Sequence, residues 1–320
     1  MCAAACGPTT PTRSTETRTA RSPCPIPCPI PCLMDVLDTP ATMRAWSEAH
    51  RVAGRRIAVV PTMGALHEGH LALVDEARRH GDVVVVSIFV NPLQFDVRAD
   101  FDRYPRPIDG DLAACRDAGV DAVYAPTAAA MYPAGFQTHV EPGQLADRLE
   151  GAHRVGHFRG VTTVVTKLFQ AVRPHVAVFG RKDAQQLAIV ERMVIDLDMG
   201  IDIVGMATVR EHDGLALSSR NRRLATADRA AATCVWAGLS AAVTAFDDGV
   251  RSASALVAIA AAAVLAEPAA RCEYLEVVDP TTFEPVDQVA VGSDALMVTA
   301  VWFGDVRLID NVLLSSRPIR

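Results

Sequence analysis

The sequence predicts an α/β fold, with a Rossmann-like, doubly wound parallel sheet in an N-terminal domain and a smaller α+β C-terminal domain. Three observations carry this. Strand-like and helix-like patterns alternate from residue 57 to about residue 209. Residues 83–90 form a near-continuous β-branched run, as a parallel strand buried on both faces requires. Beyond residue 223 the alternation gives way to two long helical stretches and then three strand-like runs.

In chain order, residues 57–60 read as a buried strand and 71–80 as the amphipathic helix after it. A second strand, 83–90, is followed by a helix over 109–118 and a short strand at 122–124. Residues 161–172 have helical period, 176–179 form a buried strand, and 183–196 a helix. Residues 201–204 and 207–209 read as two further short strands. Thr226 is placed to cap a long helix, with Asp228 in its first turn and Gly249 as its stop. An Ala-rich helix over 254–265 and strands at 274–278, 295–300 and 306–309 complete the chain. The expected division is a disordered Cys- and Pro-rich extension over 1–33, a nucleotide-binding domain over 34–209, and a smaller domain over 210–320.

Composition narrows the function. The net charge of −6 leaves no basic footprint for nucleic acid or an anionic membrane. The Ala-rich run at 255–266 is too short to span a bilayer. Five of the eight cysteines fall in the first 32 residues, so the body has the cysteine usage of a reduced, cytoplasmic protein. The head carries a Cys-Pro-Ile-Pro repeat whose Cys-x3-Cys spacing differs from zinc-type Cys-x2-Cys, and its prolines oppose regular structure. Met34 is a candidate for the true start.

The segment Pro61-Thr62-Met63-Gly64-Ala65-Leu66-His67-Glu68-Gly69-His70 sits where the first strand turns into its helix. In an open α/β sheet that edge binds ligands. A helix N-terminus there offers N–H groups to phosphate, and His67 and His70 add donors. His-Glu-Gly-His is one residue too short for the zinc pattern His-Glu-x-x-His. No Walker loop and no Gly-x-Gly-x-x-Gly occurs. Asn91 and Gln94 end the second strand with amides that offer both donor and acceptor to a small polar substrate.

Gly180-Arg181-Lys182-Asp183 lies at another strand-to-helix turn. There Lys182 can meet phosphate and Asp183 can cap the helix; a capped helix with a solvated lysine explains the segment equally well. Val209 and Leu217-Ser218-Ser219-Arg220-Asn221 bound a polar loop. It has either the hydroxyls and guanidinium to wrap a triphosphate or the make-up of a hydrophilic linker.

His-x-Gly-His after a strand resembles the nucleotidyltransferase signature. With Tyr104-Pro105-Arg106, Leu149-Glu150-Gly151, His157-Phe158-Arg159-Gly160-Val161, Gln186 and the loop from Asp213 to Asn221, the ordered blocks resemble the pantothenate synthetase (pantoate–β-alanine ligase) family from about residue 56 onward. The resemblance implies an ATP-dependent, Mg2+-assisted ligase that forms pantoyl adenylate and pyrophosphate, then pantothenate and AMP. It implies an ATP site of Met63, Gly64, Ala65, Leu66, His67, Glu68, Gly69, His70, Gly180, Arg181, Lys182, Asp183, Val209, Leu217, Ser218, Ser219 and Arg220. Within it, His70, His67, Lys182, Ser218, Ser219 and Arg220 act in catalysis and His70 is the proton donor. Gln94 and Gln186 hold pantoate, with Asn91 and His157 contributing, and Gln94 also lies near β-alanine. Asp111 is implied at the metal, and a homodimer built through the N-terminal domain is implied as the assembly.

Three departures from the family pattern stand out: Arg181 for the usual Glu, Ala184 for an aromatic residue, and Gly110 for an acid. They imply altered ATP or Mg2+ affinity, with Arg181→Glu expected to lower the KM for ATP. Two rival readings are a degenerate paralogue that binds nucleotide without ligating and another adenylate-forming or nucleotidyltransferase enzyme of the same fold. The latter gives the paired Gln94 and Gln186 no role.

Overall fold

The structure, a computed structural model, describes residues 34–315. The expectation for the Cys- and Pro-rich head over 1–33 lies outside the described residues. Elements run β1 (Asp35–Leu37), α1 (Pro40–Val52), β2 (Ile57–Thr62), α2 (Glu68–His80), β3 (Val83–Ile88), α3 (Arg98–Arg103), α4 (Ile108–Asp117) and β4 (Ala122–Tyr124). They continue with α5 (Ala128–Met131), α6 (Glu150–His153), α7 (His157–Val172), β5 (Val176–Gly180), α8 (Ala184–Asp196) and β6 (Asp202–Met206). Then come α9 (Thr226–Ala231), α10 (Thr233–Asp247), α11 (Ala253–Leu265), β7 (Ala270–Val278), β8 (Ala295–Phe303) and β9 (Val306–Leu314).

The first six strands form one parallel sheet in the order β1-β4-β3-β2-β5-β6. Its strands are apolar on both faces because both faces are covered. Ile57 and Val59 of β2 join a core with α1, α7 and α8, while Ala58 and Val60 join another with α2 and α4. From β2 the chain builds outward through β3 and β4 on one side, and through β5 and β6 on the other. The strand order therefore reverses between β2 and β5. In such sheets the crevice at the carboxyl ends of those two strands receives ligands, and the loops after β2 and β5 are the ones that carry His67 and Lys182.

Strands β7–β9 form an antiparallel sheet with register Ala270↔Phe303 and Val306↔Phe303. Its core takes Leu239 and Phe246 from α10 and Leu256 from α11. Helical structure over Thr226–Asp247 is long and apolar enough to cross a membrane by length and composition alone. Here one face, with Val235, Leu239, Ala242 and Phe246, packs into that core.

Several boundaries differ from expectation. Residues 201–204 and 207–209 are not two strands: β6 ends at Met206, and residues 207–209 leave the sheet. The departure has a cause in hydrogen bonding, since Leu217 N donates to Val209 O and Arg210 pairs with Ala216, turning the segment into a tight hairpin. Thr226 is the first helical residue rather than the cap. Ala225 precedes it without a side-chain cap, and the long helix is interrupted at Ala232. β1 and α1 carried no expectation from the sequence. In the helix α1, Pro40 follows the cap Thr39, whose hydroxyl accepts from Thr42 N at 3.2 Å.

Candidate active site

The loop after β2 is shaped from behind. Gly64 has φ +79°, and a Cβ there would meet Asp111 Oδ2 at 2.7 Å. Asp111 is buried on α4, and its two oxygens accept from Ala65 N and Leu66 N, each at 2.8 Å. Each Asp111 oxygen thus clamps one N–H of the loop from behind, and Asp111 is not among the residues that line the cavity described below. Gly64, Ala65 and Leu66 give the loop its course, and Glu68 is exposed on the first turn of α2.

His67 is the N-cap of α2. Its Nδ1 accepts from Gly69 N at 3.2 Å, while His70 Nδ1 accepts from His67 N at 3.4 Å. Two histidines thus form the reciprocal capping box that Ser and Glu usually supply. Three consequences follow. The helix terminus is less open to an anion than its sequence implied, because Gly69 N is already satisfied. Both rings are fixed with Nδ1 as acceptor, which puts the proton of each neutral imidazole on Nε2 as a donor. The rings lie 4.0 Å apart between centroids, so they present two donors side by side.

Both imidazoles are neutral at pH 7. Burial, then the charges of Lys182 and Arg222, push His67 down to about 4. Burial, then His67, Lys182 and Arg222, push His70 down to about 3. In the unliganded site burial keeps His70 in its neutral form, which offers a hydrogen bond from Nε2. Bound phosphate would raise both values, since an opposite charge favours the protonated form.

These loops enclose a cavity of about 240 Å3. Of the predicted residues, Met63, His67, Gly69, His70, Gln94, His157, Gly180, Lys182, Asp183, Gln186, Val209, Leu217, Ser218, Ser219 and Arg220 line it. Its floor is apolar, with Val161, Val164 and Leu168 from α7. Lys182 forms no ion pair among the described residues, so an unneutralised ammonium faces the cavity. Ser219 Oγ lies 3.4 Å from the Tyr104 hydroxyl, and Ser218 Oγ caps the following turn by accepting from Arg220 N at 3.2 Å. The polar segment 209–221 is thus a folded hairpin and turn rather than a loose linker.

Four predicted residues sit differently from expectation. Asn91 does not reach the wall; it is 1% exposed and bonded internally behind Gln94. His157 lines the cavity, but both ring nitrogens are engaged: Nδ1 with Gln94 O at 2.8 Å and Nε2 with Arg154 Nη1 at 3.3 Å. Burial, then Arg154, push its pKa down to about 4. Neutral His157 thus donates to Gln94 O from Nδ1 and accepts from Arg154. Arg181 turns away from the cavity and donates from Nε to Gly205 O at 2.9 Å. Asp183 occupies the N-cap position of α8 without a side-chain cap bond, which leaves its carboxylate available.

Among the described residues no cluster of three or more His, Cys, Asp or Glu side chains is placed to hold a metal. Among them too, Asp183 is the single carboxylate on the cavity wall. That donor set does not fit a metal held by protein alone. It does fit a Mg2+ that keeps its waters and arrives on substrate phosphates.

Sequence reasoning missed Asn311. From β9 its Nδ2 donates to Arg181 O at 3.0 Å and Lys182 O at 2.8 Å, so the smaller sheet holds the Lys182 turn. Its neighbour Asp310 forms a bidentate pair with Arg210 at 2.6 and 3.0 Å. A second tie joins buried Glu150 of α6 to Arg307 of β9 at 2.6 and 2.7 Å, with the Tyr274 hydroxyl donating at 2.6 Å. Burial pushes the Glu150 carboxyl up, yet Arg307 and Tyr274 outweigh it and hold the group at about 2. Arg154 was also missed. Glu150 lies in the Leu149-Glu150-Gly151 block, but no local motif marks the others, whose ties cross large sequence separations.

The sequence profile of the family described as Pantoate-beta-alanine ligase matches residues 35–313. A pantothenate synthetase of Chlorobium chlorochromatii is 46% identical over 284 residues, covering 89% of this chain and 98% of that protein. One from Geobacter sulfurreducens is 49% identical, covering 88% and 99%. The crystal structure of pantothenate synthetase from Thermus thermophilus superposes with a TM-score of 0.83 at 44% identity, covering 88% of this chain and all of that one. A pantoate-beta-alanine ligase from Francisella tularensis, solved with beta-gamma ATP and beta-alanine, gives a TM-score of 0.74 at 31% identity, covering 89% and all.

Proposed function

The chain belongs to the pantoate–β-alanine ligase family, and from that premise we propose how its own residues carry out the reaction. The chain is an ATP-dependent ligase that condenses pantoate with β-alanine. A carboxylate is a poor electrophile. Transfer of the adenylyl group of ATP to the pantoate carboxylate forms a bond from a carboxylate oxygen to the α-phosphorus and breaks that phosphorus's bond to the bridging oxygen, which leaves with pyrophosphate. The β-alanine amine then attacks the acyl carbon, forming the amide and releasing AMP. No protein nucleophile is required, and among the described residues no Ser–His or Cys–His hydrogen bond joins side chains on the cavity wall.

The observation that carries this reading is the pairing of two loops at the strand-order reversal: His67 and His70 after β2, Lys182 after β5. Nε2–H of each histidine and the ammonium of Lys182 donate to phosphate oxygens as charge builds on departing pyrophosphate. Ser218, Ser219 and Arg220 extend that donor set from the third loop. Met63, Gly69, Gly180, Val209 and Leu217 complete the nucleotide wall. Gln94 and Gln186 hold pantoate over the apolar floor, where the methyl groups of the acid bury surface. The side-chain amide of Gln186 lines the cavity and makes no hydrogen bond to any described residue, as expected for an amide reserved for substrate. Holding both substrates in one cavity supplies much of the remaining rate. Asp183 is the cavity-wall carboxylate that would help hold a Mg2+ arriving on the phosphates, and the ion would supply neutralisation of phosphate charge.

We further propose that residues 34–209 and 210–320 act as two lobes that meet over the nucleotide. The end of the large sheet at Met206 and the separate core of the small sheet support this. Family resemblance supports a homodimer in the cytoplasm. The test is AMP formation by the purified protein with ATP and Mg2+. AMP that requires pantoate and β-alanine together is the expected result. ATP binding without AMP would favour the degenerate paralogue, and AMP formation with a different acid would favour another adenylate-forming enzyme.

A further inference from the structure

The Gln94 amide has its polarity dictated by backbone groups that leave no choice. Leu93 N lies 3.2 Å from one terminal atom of the Asn91 side chain, and an N–H needs an acceptor, so that atom is Oδ1. Gly160 O lies 3.0 Å from the other, so that atom is Nδ2. The Tyr132 hydroxyl, 2.8 Å from Oδ1, must therefore donate. Asn91 Nδ2 also lies 3.1 Å from Gln94, and the atom it meets must be Oε1. The far end of the Gln94 amide is then Nε2, 3.1 Å from the weak acceptor Met63 Sδ, on the cavity wall.

We propose that Tyr132 is a positioning residue for the acid substrate. Through Asn91 it holds in place the Gln94 amide whose N–H2 end the backbone directs to the cavity, so that Gln94 meets pantoate as a hydrogen-bond donor to an oxygen. This rests on the reading of Gln94 as a pantoate contact.

The frame around the relay is rigid. A Cβ at Gly160 would come within 2.2 Å of Leu93 O, so only glycine lets α7 approach the Asn91–Gln94 turn closely enough for its carbonyl to reach Asn91. The Tyr132 ring is fixed by Phe136, with centroids 4.9 Å apart, and by Phe89 at 6.1 Å. Burial pushes the Tyr132 phenol up, so it stays a donor across the working pH range. Without the hydroxyl, Asn91 loses its shortest hydrogen bond, 2.8 Å at Oδ1; Leu93 N and Gly160 O still set the polarity of the pair, but Asn91 and the Gln94 amide it holds are less firmly placed.

The test compares Tyr132→Phe, Gln94→Ala and the double variant with the wild type, reading pantoate KM and kcat and the direct binding of pantoate by calorimetry. Tyr132→Phe keeps the ring and removes only the hydroxyl. It should raise pantoate KM and Kd about 3- to 10-fold, the loss of roughly one hydrogen bond, with kcat and the KM for ATP within about twofold and the melting temperature nearly unchanged. In the Gln94→Ala background the same substitution should have no further effect on pantoate binding. An unchanged pantoate KM in Tyr132→Phe overturns the proposal, as does an effect that persists in full without Gln94. Failure of the underlying reading is distinct, because the wild type would then neither bind pantoate nor form AMP with it.

Discussion

Asn311 offers the sharpest perturbation of the site from a distance. It lies on β9, yet its Nδ2 donates to the carbonyls of Arg181 and Lys182 at 3.0 and 2.8 Å. Asn311→Ala removes both bonds and frees the turn that carries Lys182. Two neutral hydrogen bonds are worth about 1–3 kcal/mol together, and each 1.4 kcal/mol is roughly tenfold. If that energy serves to hold Lys182 on the phosphates, kcat/KM for ATP falls roughly 5- to 150-fold. Asn311→Asp has the same shape but sets a carboxylate against two carbonyl oxygens, so it should be worse than Asn311→Ala. The assay is the initial rate of AMP formation with ATP varied and both other substrates saturating, with melting temperature as the control for folding. A fall of less than twofold in Asn311→Ala, or wild-type activity in Asn311→Asp, would refute the claim that β9 holds the nucleotide turn.

Three further outcomes follow from the same geometry. Arg181 turns its guanidinium to Gly205 O, so Arg181→Glu should leave the KM for ATP within about twofold, contrary to the sequence expectation; steady-state kinetics at constant ionic strength decide. His70 and His157 are held at about 3 and about 4 against 6.5 in the unfolded chain. The unfolded chain therefore binds more protons as pH falls below 6.5, and stability drops with it. At pH 5 each costs about 2 kcal/mol, with His67 adding less because it is more open. Melting temperature should fall between pH 7 and pH 5, above the range where Glu150 titrates; a flat profile there would contradict the neutral, enclosed imidazoles. Arg307→Met strands the Glu150 carboxylate and should cost about 3–5 kcal/mol in denaturant titrations, with Glu150→Gln in the same chain recovering much of it.

How much of this was legible in the sequence depends on the range of the interaction. The parallel sheet was legible because β-branched runs such as Val83 to Val86 state burial on both faces locally. The segments that meet at the cavity, around His67, Lys182 and Ser218, were legible because polar runs with histidine, lysine or serine beyond a strand are local patterns. The hairpin at Val209 was misread as a strand, since closing it depends on the pairing of Arg210 with Ala216 rather than on propensity. The clamp made by Asp111 was hidden for a related reason: sequence shows an acid near the site, and only coordinates show its oxygens on Ala65 N and Leu66 N. Asn311, Arg154 and Tyr132 were not legible at all. Their partners lie up to 130 residues away, and nothing in their immediate neighbours distinguishes them from ordinary strand, helix or turn residues.

The central claim is that the acid is activated as its adenylate by donors on these loops. Pantoate labelled with 18O in both carboxylate oxygens tests it directly. The account predicts one label in the phosphate of AMP and the other in the amide carbonyl of pantothenate, read by mass spectrometry. AMP free of label, or label in pyrophosphate or inorganic phosphate, would contradict it.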